Sequence, residues 1–349
     1  MKVLFIVPSF KLPGGVANHY MGLTPFWTNE YRYITCGRRR HWPAFLTLIP
    51  DWINLFFRIL LFRPQVVVVN TSFKYQPVFR DAINILIAKI LRRKVVTFVH
   101  GWDQHVYKSL EKRHGLFSYI YNKNEYLYVL YSAFKEQLVK LGIKSEIKLT
   151  TTKVADELIE GYNRDSSSTE KHQLLFLARA DYDKGLDTAL EAFSSLKSEI
   201  TDLKFCVCGD GPYLNEAKRY VEEHGLKDVA FMGYIGGEEK KQCFAESDIY
   251  ILPTTHGEGM ATSLLEAMAM GLVVISRPVG GVVDFFEQEK MGYLLDSTTA
   301  ADYADVILDL YQSPERIAEI GRYNHEYACS HFLASSVARA IETDLNELT

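Results

Sequence analysis

Cysteine is scarce in this 349-residue chain: Cys36, Cys206, Cys208, Cys243 and Cys329 are scattered and odd in number. That pattern excludes a disulfide framework and points to reduced thiols in a cytosol. A secretory leader is also missing: Met1-Lys2 runs into Val3-Leu4-Phe5-Ile6-Val7, which Pro8 cuts short. There is no strict repeat and no low-complexity tract. G-x-S-x-G, H-E-x-x-H and G-x-x-x-x-G-K-[ST] are all absent, which argues against hydrolase, zinc-protease and P-loop chemistry. No nucleic-acid-binding module is recognisable. Phe205-Cys206-Val207-Cys208-Gly209 reads as a strand with both thiols on one face. No second ligand pair is evident, so no metal is expected there.

What is present describes an ordinary globular protein. Hydrophobic residues make up 48% and charged residues 23%, enough for ample core, and the length suggests two domains. The net charge of −4 hides an asymmetry. Residues 1–160 hold 23 Lys+Arg and 11 Asp+Glu, and the remainder holds 16 and 32. A basic half facing an acidic half suggests that the first half meets something anionic, either nucleic acid or an anionic membrane surface.

Val3–Val7, Val66–Val69 and Val95–Val99 are runs rich in β-branched residues, as in parallel strands buried on both faces. Helical stretches such as Asp81–Leu91 lie between them. The second half repeats this with strands at 174–177, 204–207, 229–232, 249–252 and 273–275, and helices at 188–196, 213–224 and 238–245. Asp165–Lys171 is the longest stretch without apolar residues and marks a domain boundary. The expected architecture is α/β: two doubly wound, Rossmann-like domains facing a central cleft, where ligands meet the carboxyl ends of the strands. Trp42–Phe62 is strongly apolar but interrupted by Pro50, Asp51 and Arg58, a poor membrane span. It reads as a buried helix or, with Arg38-Arg39-Arg40 before it, as an interfacial one.

The segment from Thr255 to Gly271 is the most informative. Glu258 and Glu266 stand eight positions apart around a small-residue turn that opens an apolar helix. Eight helical residues rise about 12 Å, too far for two acids on one bond but suited to the two ends of a nucleotide sugar. Gly257 and Gly259 allow close backbone approach, and Thr262-Ser263 offers a cap to a helix start that suits a phosphate. Arg179 and Lys184, in Leu177-Ala178-Arg179-Ala180-Asp181-Tyr182-Asp183-Lys184-Gly185, follow a strand and can neutralise a diphosphate. Asp181-x-Asp183 could hold a divalent metal, but the two cations already bring the charge a metal would supply. Gly209-Asp210-Gly211-Pro212 reads as a tight turn lining the nucleotide pocket. Pro13-Gly14-Gly15-Val16 offers backbone N–H groups to a phosphate or sugar. His100-Gly101 and Gly280-Gly281 follow strands and point at the same cleft.

These motifs resemble the retaining GT-B glycosyltransferases of family 4. The carriers are Glu258-x7-Glu266, Arg179-x4-Lys184-Gly185, Gly209-x-Gly211-Pro212, Gly233, Gly14-Gly15 and His100-Gly101. The resemblance spans nearly the whole chain and is most specific in the second half. It implies an acceptor-binding domain over residues 1–164, a donor-binding domain over 165–332, and a helix over 333–349 that crosses back to the first. Arg179 and Lys184 would bind the diphosphate, Glu266 the ribose hydroxyls, and Glu258 the transferred sugar. Backbone N–H groups of Met260, Ala261 and Thr262 would lie near sugar and phosphate, with Gly209, Gly233 and Gly259 shaping the pocket. His100 would contact the donor hexose, and Gly14 and Gly15 would pack on the diphosphate. No cofactor or metal is implied beyond the nucleotide-sugar donor. The acceptor would be a glycan or lipid-linked hydroxyl, and no nucleic acid is involved. The location would be cytoplasmic, peripheral on the inner face of the cell membrane. A nucleotide-sugar 2-epimerase and a non-catalytic nucleotide-binding subunit are the alternatives. Two departures stand out: Thr150-Thr151-Thr152-Lys153-Val154 replaces an Asn-Gly-Val turn, and Met260 replaces a frequent Phe.

Overall fold

A computed structural model of the protein describes residues 1–12, 14–37, 44–162, 171–257 and 259–349. It divides into two compact units, Met1–Lys153 with Ala334–Thr349, and Val154–Leu333. The boundary expected at 164/165 lies outside the described residues, as do Pro13, Arg38-Arg39-Arg40, Trp42 and Glu258.

In chain order the first unit runs β1 (Lys2–Val7), α1 (Gly15–Leu23), β2 (Glu30–Thr35), α2 (Ala44–Phe62), β3 (Val66–Phe73) and α3 (Tyr75–Ile90). It continues with β4 (Lys94–Trp102), α4 (Gln104–Glu111), α5 (Gly115–Tyr121), β5 (Tyr126–Val129), α6 (Ser132–Lys140) and β6 (Glu146–Leu149). All pairings are parallel, in the order β2-β1-β3-β4-β5-β6. The valine-rich runs of β1, β3 and β4 are buried on both faces, as parallel strands covered by helices must be. Leu4, Ile6, Val67 and Val69 join one apolar cluster, and Val3, Phe5, Val66 and Val68 the other.

The second unit runs β7 (Gln173–Leu177), α7 (Leu186–Leu196), β8 (Lys204–Cys208), α8 (Leu214–Glu223), β9 (Val229–Gly233) and α9 (Gly237–Ala245). Then follow β10 (Ile249–Leu252), α10 (Thr262–Ala269), β11 (Val273–Ser276), β12 (Gly292–Leu294), α11 (Ala300–Tyr311) and α12 (Pro314–His331). Its parallel sheet is ordered β12-β11-β10-β7-β8-β9. This is the doubly wound arrangement, and the strand order reverses between β7 and β10. In doubly wound sheets ligands bind at the carboxyl ends of the strands beside such a reversal.

The last helix, α13 (Ala334–Asn346), belongs to the first unit. Val337, Ala338, Ile341 and Leu345 pack on the face of its sheet that carries Val3 and Phe5. Glu342 is buried and accepts the N–H groups of Thr28 and Asn29 at 2.9 and 2.8 Å, so the helix is pinned by polar as well as apolar contacts.

One helix departs from expectation. α2 buries Thr47, Asp51, Leu55, Ile59 and Phe62, yet Ile49, Ile53, Phe57 and Leu61 stand exposed on its other side. Asp51 accepts the Gly37 N–H at 2.8 Å and Thr47 donates to the Gly37 carbonyl at 3.1 Å. The reading as a buried helix thus holds for one side only. No described helix is long and apolar enough to cross a membrane.

Candidate functional site

In the second unit three loops at the carboxyl ends of the strands fit against one another. Past β7, the Ala178 N–H donates to the Cys208 carbonyl and the Ala180 N–H to that of Asp210. This seats the loop carrying Arg179 on the turn after β8. Gly209 is what allows the approach: at φ 134° a Cβ there would lie 1.8 Å from the Ala178 carbonyl oxygen. Its N–H donates to the Gly233 carbonyl at 2.7 Å. Gly209 and Gly233, singled out separately in the sequence, therefore form one contact, at the point where β9 bulges past Met232.

On its other side the β7 loop is tied to the segment after β10. The Asp183 carbonyl accepts the Thr255 N–H at 2.9 Å and the Thr254 hydroxyl at 3.1 Å, and its carboxylate bonds His256 Nδ1 at 2.7 Å. Gly185 sits in the left-handed region as the residue before α7, where a Cβ would meet the Pro253 carbonyl oxygen at 2.4 Å. Lys184, just before it, is buried. Arg179 is largely exposed and pairs with Asp181. Arg179, Lys184 and the start of the Glu258 segment thus lie on loops flanking the strand-order reversal. His256, held by Asp183 two residues before Glu258, was not anticipated; its place in Thr255-His256-Gly257 was the available signal.

Gly259 accepts the Gly281 N–H at 2.9 Å, which joins the Gly280–Asp284 turn to the same loop. Met260 and Ala261 follow, and α10 begins at Thr262. The expected Thr262-Ser263 cap is corrected here. Ala261 is the cap position and makes no side-chain bond to the helix, so Thr262 and Ser263 fall inside the first turn. The Ser263 hydroxyl bonds Tyr250 instead, at 2.7 Å. Glu266, one turn on, is buried and accepts from Lys240 of α9 at 2.7 Å. A sequence pattern does not show that pairing, because 26 residues separate the two.

In the first unit Gly14 and Gly15 open α1, and a Cβ at either would meet nothing within 4 Å. His100 is the extra residue of a bulge in β4: Thr71 pairs with Val99 and Ser72 with Gly101. A bulge re-aims a side chain. Here the ring stacks on Phe98 at 3.7 Å, and Nε2 lies 2.7 Å from Asn70 Oδ1. His19 of α1 meets it edge-on at 5.4 Å. Burial, reinforced by His19, holds the His100 pKa well below the usual imidazole value. His19 is also buried, and neither ring nitrogen has a hydrogen-bond partner among the described residues. Burial first and the Lys153 cation second push its pKa down to about 3. Sequence reading missed His19, whose helical spacing from Gly15 was the only cue.

Cys206 and Cys208 lie with their sulfurs 3.5 Å apart, and Cys243 of α9 brings a third buried thiol, the three within 4.8 Å. The two thiols do share one face of the strand, and Cys243, distant in sequence, joins them. Hydrogen bonding to Cys206, together with burial, pushes the Cys208 pKa up, and burial pushes that of Cys243 up to about 12.

The family model described as Glycosyl transferases group 1 matches residues 161–327. Over these residues, just under half of its length, the chain is similar to the group 1 glycosyl transferases. The match covers nearly all of the second unit, including every loop just described there. Among similar proteins is the putative colanic acid biosynthesis glycosyltransferase WcaL of Salmonella typhimurium, 25% identical over 72% of this chain and 60% of that protein. The amylovoran biosynthesis glycosyltransferase AmsK of Erwinia amylovora is 28% identical over 66% of this chain and 58% of its own length. The chain thus spans less than two thirds of these curated relatives. Anabaena HepE, solved with UDP, shares the fold with a TM-score of 0.74 at 16% identity, over 99% of this chain and 100% of that one. A glycosyltransferase from Rickettsia africae does so at 0.77 and 15%, over 99% and 98%. Both six-stranded sheets have the α/β form the sequence led us to expect.

Proposed function

We propose that this protein moves a sugar from a nucleotide diphosphate sugar to a hydroxyl acceptor, with retention of anomeric configuration and without a metal. The observation that carries the reading is the loop assembly at the strand-order reversal of the second sheet. There Asp183 ties the Arg179–Lys184 loop to the Thr254–His256 segment that leads into α10. Ligands of doubly wound sheets bind at such reversals. In this reading Arg179 and Lys184 meet the diphosphate, with Gly209, Gly233 and Gly259 shaping its surroundings. Met260, Ala261 and Thr262 present backbone N–H groups, Glu266 takes the ribose and Glu258 the sugar. The similarity to WcaL, a putative colanic acid biosynthesis glycosyltransferase, and to AmsK, an amylovoran biosynthesis glycosyltransferase, and the UDP and UDP-glucose complexes of HepE support the same class.

Charge builds on the leaving diphosphate as the glycosidic bond breaks. Two preplaced cations answer it, and loss of one such group costs about 3–4 kcal/mol of barrier. With no second carboxylate assigned to the reacting carbon, the acceptor attacks from the face the leaving group vacates, and configuration is kept. The acceptor is a glycan or lipid-linked hydroxyl at an anionic membrane surface.

Screening nucleotide sugars for thermal stabilisation identifies the donor, since a ligand at 100 times its Kd adds about 2.7 kcal/mol. NMR of the product then reads its anomeric configuration. Retained configuration, with turnover unaffected by a chelator, is expected. An inverted product overturns the mechanism, and the absence of any stabilising nucleotide sugar overturns the donor reading.

A further inference from the structure

Glu266 is a carboxylate in the apolar stretch that follows the first turn of α10. Its neighbours Leu264, Leu265, Ala267 and Met268 are all buried, and so is Glu266 itself. A carboxylate in such surroundings needs a cation or hydrogen-bond donors. Lys240 supplies one, its Nζ donating to Oε1 at 2.7 Å, and it is the one side chain bonded to Glu266 among the described residues. The contact joins two elements, α9 and α10, that flank β10 in the chain. Next to it in sequence, Lys241 binds the Glu160 carbonyl, so the two lysines of α9 are directed to different partners.

We infer that Lys240 is a positioning residue for nucleotide recognition. It fixes the Glu266 carboxylate so that the remaining acceptor sites face the vicinal hydroxyls of a ribose. A carboxylate offers about four lone-pair directions. Lys240 occupies one on Oε1, which leaves enough for two hydroxyl donors. Held by a charge-assisted bond on one side, the group cannot turn to save a lost partner on the other. It therefore discriminates between a diol and a sugar lacking one hydroxyl. A carboxylate free to rotate would satisfy either ligand about equally. The inference rests on the placement of a nucleotide at this site, proposed above.

Calorimetric titration of UDP and GDP, each beside its 2′-deoxy counterpart, tests it on wild type, Lys240→Met, Lys240→Arg and Glu266→Gln. For the diphosphate that binds, wild type is expected to prefer the ribose form. Lys240→Met should lower ribose-form affinity about tenfold, the scale of one charged hydrogen bond. It should leave the deoxy form nearly unchanged, so that the preference collapses, while Lys240→Arg keeps it. A purely structural role for the pair would weaken both forms alike, and that result overturns the inference, as does a preference that survives in Lys240→Met. If Glu266→Gln removes the preference while Lys240→Met retains it, only the role of Lys240 falls. If Glu266→Gln leaves it intact, the nucleotide placement falls as well, and the inference with it.

Discussion

A methyl group added at Gly209 would lie 1.8 Å from a carbonyl oxygen, whereas one added at Gly15 meets nothing within 4 Å. Both glycines read alike in the sequence, as turns near a phosphate, yet the fold demands only one of them. Gly209→Ala combines a disfavoured φ with a backbone collision and should cost about 3 kcal/mol of stability, measured by denaturant unfolding. Gly15→Ala should leave stability within about 0.5 kcal/mol. If it weakens nucleotide-sugar binding all the same, the missing side chain serves a ligand rather than the fold. A stable Gly209→Ala protein would show that the loops after β7 and β8 can separate. The same limit governed the charged residues. Arg179, Lys184 and Glu266 could be named as candidates because their spacing within one loop or helix is visible in the sequence. Lys240, His256 and Asn70 could not, since each matters through a partner brought close only by the sheet.

At the scale of elements, the strands found from sequence were those with apolar or β-branched runs: β1, β3, β4, β7, β8, β10 and β11 lie inside the sheets, and β9 at an edge. The unread ones are short or polar. β2 and β12 are edge strands, and Glu30–Thr35 alternates exposed and half-buried residues over much of its length. β6 is an edge strand of four residues, and β5, although central, spells Tyr-Leu-Tyr-Val without a β-branched run. The contact of α1 with β4 was equally unreadable, and it has a titratable consequence. An imidazole in the unfolded chain titrates near about 6.5. In the fold, burial and Lys153 hold His19 near 3, and His100 is shifted the same way. Below about pH 6.5 the unfolded chain binds protons that the folded one refuses. Stability is therefore full above that pH and falls as the pH drops toward 3. His19 alone contributes a loss of about 1.4 kcal/mol per pH unit in that window. Urea unfolding between pH 7 and 5 should show the decline, and His19→Phe should make it shallower. An identical slope in the variant would remove His19 as the cause.

For the whole molecule, charge and apolar exposure fall on the same unit. Met1–Lys153 with Ala334–Thr349 contains 24 Lys+Arg against 11 Asp+Glu, whereas Val154–Leu333 contains 15 against 32. The basic unit carries α2, on which Leu46, Ile49, Ile53, Phe56, Phe57, Leu60 and Leu61 are exposed. At 100° per residue these seven span an arc of roughly 140°, opposite the buried Thr47, Asp51, Leu55 and Ile59. Phe79 of α3, also exposed, extends the patch by its edge-on contact with Trp52 at 6.5 Å. A surface helix of a water-bathed protein turns such a stripe inward; this one turns it outward on a cationic body. That combination suits an anionic bilayer, where attraction acts over about 10 Å at 0.1 M salt and apolar side chains enter the interface. The intact protein should therefore sediment with vesicles containing anionic lipid, weakly with neutral ones, and release as salt rises. Ile49→Ser with Phe57→Ser and Leu61→Ser removes three side chains that are 66%, 56% and 78% exposed. Their loss should leave the melting temperature near wild type and lower vesicle affinity more than tenfold, since each carries about 1.5–3 kcal/mol when fully buried. Binding to anionic vesicles undiminished by the triple change would assign any attraction to the basic residues alone and leave the α2 face for another partner. No sedimentation in low salt would remove the membrane from the acceptor side of the reaction.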